Sequence, residues 1–138
     1  MSARSIDKLK ILISEGMVKI LSGNNLVLKK IIFRELGDNK KRHNSHILDV
    51  GCGTGSQVRI FSSAAYLGID NNPAALALAR RHKNYRFLFA NATKMKLKAD
   101  FFDTILISGV LHHLSDSDVG KVMHEVKNVL KSKGRVLV

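Results

Sequence analysis

Three glycines at alternate positions, Gly51, Gly53 and Gly55, follow a short apolar run that has one acid inside it, Ile47-Leu48-Asp49-Val50. Glycine has no Cβ, so a turn built this way can take positive φ and lay its backbone N–H groups against a ligand. A second acid, Asp70, stands nineteen positions after Gly51 and closes another apolar run, Ala65-Tyr66-Leu67-Gly68-Ile69. About 20 residues is the spacing at which a carboxylate beyond a glycine turn meets the two hydroxyls of a ribose. The implied chemistry is recognition of a nucleoside-bearing ligand at the end of the first strand. Each acid also has a structural alternative: Asp70 as a turn or cap residue, Asp49 as a buried turn acid satisfied by backbone N–H groups.

The elements needed to hold these residues can be read from periodicity. Apolar residues at steps of three and four predict a helix over 5–21 and a second over 26–36, followed by a polar, basic linker over 37–45. From His46 onward strands and helices alternate. Strands are expected over 46–50, 65–70, 86–90 and 102–108, with a brief helix over 56–62 and a helix opening at Pro73, where a missing N–H costs nothing. Ser115-x-x-Asp118 is a capping arrangement for a long helix whose apolar face runs from Val119 to Leu130, Gly134 reads as its stop, and 135–138 opens a fifth strand. Five such alternations predict an α/β fold with a parallel sheet and helices on both faces.

The run Ile-Leu-Asp-Val-Gly-Cys-Gly-Thr-Gly at 47–55 resembles the first motif of the Rossmann-like (class I) S-adenosylmethionine-dependent methyltransferases. The stretch Leu-Gly-Ile-Asp-x-x-Pro-x-x-Leu-x-x-Ala-Arg from Leu67 resembles the second, and Phe102-Asp103 with Val110-Leu111-His112-His113-Leu114 resembles a later one. A dinucleotide fingerprint would want a third small glycine-like residue where Ser56 stands, which disfavours a nicotinamide or flavin oxidoreductase. The resemblance implies a three-layer Rossmann-like core over 46–138 that binds S-adenosylmethionine, with residues 1–45 as helices that cap the cofactor or cover an edge. It implies cofactor contacts from Asp49, Gly51, Cys52, Gly53, Gly55, Asp70, Asn71, Asn91, Ala92 and Ser108. Asp49 would orient the cofactor's amino group. Asn91 departs from the family's acid at that position, yet its carboxamide can accept from the adenine amino group or donate to a ring nitrogen. His112 and His113 are weak candidates for a general base, with pocket lining as the alternative. No Cys or Asp cluster accompanies them, so no metal is expected. In the resembled family further strands follow the fifth, so a core ending there is C-terminally short, and a non-catalytic or truncated cofactor-binding domain is the alternative to a methyltransferase.

Composition bounds the rest. The 138 residues carry 45% apolar content, one cysteine and a net charge of +12. With a single cysteine, Cys52, no internal disulfide forms, and with no secretory pattern and no apolar run near 20 residues a cytoplasmic protein without a membrane span is expected. The charge excess is concentrated in residues 1–46 and 72–100, each at +6, while 47–71 is at −1. An anionic or nucleic-acid partner and an ordinary solvated surface both account for that excess. The acceptor itself is not identified by the sequence; a small molecule is expected.

Overall fold

The computed structural model describes residues 18–19, 45–61 and 66–138. Its centre is a parallel sheet of β1 (Val18–Lys19), β2 (Ile47–Val50), β3 (Tyr66–Asp70), β4 (Arg86–Phe89), β5 (Phe102–Ile107) and β6 (Leu130–Leu137). The spatial order is β1-β6-β5-β2-β3-β4. The chain therefore winds outward from β2 through β3 to β4, then crosses back to β5 and winds the other way. The crevice between β2 and β5 is the point of reversal, where open α/β sheets bind their ligands.

Alternation along the strands sends side chains to two apolar layers. Leu48, Val50, Ile69, Ile105, Ile107 and Val136 face one layer, which is closed by Val122, Met123, Val126 and Val129 of helix α2 (Asp116–Val129). Ile47, Tyr66, Leu106 and Leu137 face the other, with Val58, Ile60 and Phe61 packed on them. A sheet buried on both sides is what near-continuous apolar strands demand. Helix α1 (Pro73–Ala79) packs against β3 and β4 and buries Leu76 and Ala79. It starts at Asn72, whose Oδ1 accepts from the N–H groups of Ala74 and Ala75 at 3.0 and 3.2 Å. Ser115 caps α2 in the same way, accepting from the Asp118 N–H at 3.2 Å. The far end of α2 is closed by the segment leading into β5: the N–H groups of Asp100 and Phe101 donate to the carbonyls of Asn128 and Val129 at 3.0 and 2.9 Å.

Three expectations are corrected. The helix over 56–62 is instead a single 3-10 turn, Val58–Ile60, within the described part of that segment. Gly134 does not stop α2, which ends at Val129; it lies inside β6. Phe102 faces Leu130 but Thr104 faces Arg135, so the intervening residues of β6 bulge, and a Cβ on Gly134 would press on the Lys131 carbonyl at 2.9 Å. Residues 18 and 19, expected within a helix, form β1 alongside Val136 and Leu137. The remainder of both N-terminal helices and nearly all of the linker lie outside the described residues.

Candidate functional site

The strand β2 ends in a turn because the next residues can do what few others can. Gly51, Gly53 and Gly55 all have positive φ, at 73°, 54° and 75°. At Gly51 the need is double, since a Cβ there would also run into the Val110 side chain. The turn is tied to the neighbouring strand: the N–H groups of Gly51 and Cys52 both donate to the Ile69 carbonyl, at 2.8 and 3.0 Å. The Gly53 N–H then donates to Asp70 Oδ2 at 2.8 Å, while the Asn72 N–H donates to Asp70 Oδ1 at the same distance. Asp70 is thus clamped between the glycine turn and the start of α1.

Around this clamp is a cleft of about 300 Å³ at the C-terminal ends of β2 to β5. The sequence-derived residues Gly51, Asp70, Asn71, Asn91, Ala92 and His113 line it. Its remaining walls come from Ile69, Ala90, Thr93, Gly109, Val110 and Leu114, which sequence reasoning did not assign. Gly109, at φ 71°, carried the one legible signal: a glycine directly after a strand.

The other expected residues stand apart from that lining. Asp49 is only 2% exposed and lies under the turn, where Oδ2 accepts from the Tyr66 hydroxyl at 2.6 Å. Burial pushes its carboxyl up to about 6; the Tyr66 hydrogen bond opposes that rise and the nearby Asp70 charge adds to it. Tyr66 was not foreseen. It is two residues before Gly68, the register partner of Asp49, so the pair meets diagonally across β2 and β3 on one face. Cys52 is buried, its sulfur filling the space a side chain at Gly68 would take, and burial followed by the charges of Asp49 and Asp70 pushes its thiol up to about 12. A thiol held that high is no nucleophile at neutral pH. Ser108 accepts from Gln57 Nε2 at 3.1 Å, bridging β5 to the segment after the glycines.

Asn91 is refined by its neighbours. Its Oδ1 accepts from both the N–H and the hydroxyl of Thr93, each at 2.9 Å, which uses both lone pairs and leaves the NH₂ as the free end. His112 and His113 are exposed, with ring centroids 3.8 Å apart and planes tilted by 43°, and of the two only His113 lines the cleft.

A doubly wound parallel sheet with a glycine turn after the strand at its reversal point, and an acid at the end of the next strand, describes the Rossmann-like S-adenosylmethionine-dependent methyltransferases. The chain belongs to that family: the family described as "Methyltransferase domain" matches residues 48–138. It is 34% identical over 109 residues to the ubiquinone/menaquinone biosynthesis C-methyltransferase UbiE of Pectobacterium atrosepticum, covering 70% of this chain and 43% of that protein. It is 32% identical over 95 residues to the tRNA (carboxymethyluridine(34)-5-O)-methyltransferase of Arabidopsis thaliana, covering 68% of this chain and 23% of that one. The crystal structure of YcgJ from Bacillus subtilis superimposes with a TM-score of 0.68 at 29% identity, over 79% of this chain and 48% of the other. In all three comparisons the chain spans less than half of its relative.

Proposed function

We propose that the protein binds S-adenosylmethionine in the cleft and transfers its methyl group to an acceptor by direct displacement. The observation that carries this reading is the state of Asp70. A carboxylate has about four acceptor sites, and two are taken by the Gly53 and Asn72 N–H groups, which leaves two for a ribose diol. The cofactor, when bound, supplies an electrophilic methyl group on a sulfonium sulfur.

The chain's own residues then have distinct duties. Gly51, Gly53 and Gly55, with the Cys52 backbone between them, let the turn approach the ligand closely. Asp49 supports that turn from beneath, held by Tyr66. Asn91 directs its NH₂ toward a ring nitrogen of adenine, with Ala92 beside it and Asn71 next to the ribose. Ile69, Ala90, Val110 and Leu114 give apolar walls that keep water from the reacting centre. Ser108, braced by Gln57, borders the β5 side. In this reading His113, which lines the cleft, accepts a proton from an oxygen or nitrogen acceptor, and His112 lies against it with its ring tilted. Alignment of acceptor, methyl carbon and sulfur can lower the barrier by several kcal/mol, roughly 7–11 in the best intramolecular cases, so few further groups are required.

The cleft of about 300 Å³ is open to solvent, so an acceptor approaches from outside it. A small molecule meets that condition, and so does a single group on a larger one; a quinone-pathway enzyme and a tRNA enzyme both occur among the relatives. The test is a calorimetric titration with S-adenosylmethionine, S-adenosylhomocysteine and NAD. Binding of the first two supports the reading, and binding of NAD alone overturns it. Turnover is then read as release of S-adenosylhomocysteine in the presence of cell extract, faster for the native chain than for Asp70→Ala.

A further inference from the structure

β4 is the outermost strand on its side of the sheet, and Arg86, Leu88 and Phe89 are exposed along it, Leu88 at 42% and Phe89 at 58%. Edge strands carrying large apolar side chains are usually blunted by charge. Here the charge is all of one sign. Residues 72–99 contain seven Lys or Arg and no acid. Arg81 and Lys83 lie in the turn that leads into β4, and Lys94 lies just past its other end, where its N–H donates to the Asn91 carbonyl at 2.9 Å. None of Arg81, Lys83, Arg86 and Lys94 forms an ion pair with a described residue. The strand also leads directly into the cleft, because Phe89 is followed by Ala90 and Asn91, which line it.

We propose that this edge is a docking surface for a single-stranded RNA loop, with phosphates on Arg81, Lys83, Arg86 and Lys94 and an unpaired base stacked on Phe89. Cations at both ends of the strand neutralise phosphates, and an exposed aromatic ring on the strand between them is the stacking platform that single strands use. A duplex keeps its bases stacked inside, whereas RNA loops splay them outward, so the ring favours a loop. An anionic membrane is a poorer match, since its ligands present a broad apolar helix face, whereas here α1 exposes the single large apolar residue Leu78 beside Leu88 and Phe89 of β4. An acidic protein would answer the cations but has no need of Phe89. The surface stands independently of the methyl-transfer reading; it rests on that reading only for the purpose of leading a nucleotide toward the cleft.

The probe is a fluorescently labelled, unstructured oligoribonucleotide, with anisotropy measured from 50 to 200 mM salt. The double variant Arg86→Glu/Lys94→Glu is expected to lose at least tenfold in affinity and to lower the slope of log K against log salt by roughly 1.4, two contacts at about 0.7 each. Phe89→Ala is expected to lose about tenfold with its salt slope unchanged. Lys127→Glu/Lys133→Glu changes the net charge equally on exposed positions away from β4, and should bind nearly as the native chain does. Thermal unfolding confirms that each variant is folded. The proposal is overturned if the oligoribonucleotide does not bind, if both double variants lose affinity equally, or if duplex RNA, polyglutamate or phosphatidylserine vesicles bind as tightly. S-adenosylhomocysteine titration is read separately, so a failed cofactor assignment and a failed RNA surface are distinguishable.

Discussion

Asp70 and Asp103 occupy opposite ends of the same parallel sheet, and the contrast between them separates a binding group from a bracing one. At the N-terminal end of β5, Asp103 is surrounded: Oδ2 accepts from the His46 N–H at 2.8 Å, and Lys131 Nζ lies 2.9 Å from both oxygens. Partial desolvation pushes its carboxyl up, but the Lys131 hydrogen bond, the His46 N–H and the charges of both residues outweigh this and hold it below the usual carboxylate range. At the C-terminal end of β3, Asp70 accepts from two backbone N–H groups, and among the described residues it forms no ion pair. A carboxylate with its needs met fixes a structure. One with acceptor sites left over can fix a ligand.

The largest expected effect tests that distinction directly. Asp70→Ala removes the proposed ribose acceptor and the anchor of the glycine turn together, and S-adenosylhomocysteine affinity measured by calorimetry should fall at least 100-fold, since hydrogen bonds to charged groups are worth roughly 1.5–3 kcal/mol each. Asp103→Ala should leave that affinity within about threefold. If the two losses are equal, the contrast between the sheet ends is wrong.

The next effect concerns the third acid, Asp49. Its folded carboxyl titrates near 6 and its unfolded one near 3.9, so the folded state holds the extra proton between those values. For an acid raised in this way the favourable contribution is complete below about pH 4 and is lost as pH rises through about 6, an amount on the order of 2–3 kcal/mol. Denaturant unfolding of the native chain and of Asp49→Asn should therefore differ most in slope across pH 4–6, with the variant flatter. Parallel curves would mean that Asp49 is not desolvated.

Gly51→Ala comes third. Positive φ and the approach of Val110 together should cost about 1–3 kcal/mol in urea unfolding, and Gly53→Ala, with open space around its Cβ, about 1 kcal/mol. The smallest effect is the stability cost of Asp103→Asn, about 1 kcal/mol because its salt bridge with Lys131 is more than a third exposed. Having a depressed carboxyl, Asp103 contributes stability above about pH 4 that disappears as pH falls through its lower folded value, the opposite sense to Asp49.

Much of this architecture was legible because the strands are apolar runs, of which β2, β3 and β5 are largely buried. Four of them fall within one residue of the runs read from apolar patterning, since such runs have few other uses. Asp70 was legible from its distance to Gly51. What escaped is non-local. The Tyr66 hydroxyl meets Asp49 only once β2 and β3 adopt their register, and the saturation of Asn91 by Thr93 depends on a turn that composition does not specify. Gly134 misled because a glycine after a helical run signals a stop, whereas here it relieves crowding in a bulge against Leu130. The short turn at 58–60 misled because Val58 and Ile60 are buried by the sheet rather than by helical periodicity.

The closure of α2 by the lead-in to β5 has a dynamic consequence. Because the carbonyls of Asn128 and Val129 receive the N–H groups of Asp100 and Phe101, the last turn of the helix cannot fray without detaching the lead-in to the strand. Hydrogen–deuterium exchange should show the amides of residues 100 and 101 opening together with those at the end of α2, as a single cooperative unit at the base of the molecule. The rim where ligands arrive could then loosen while this base keeps its protons.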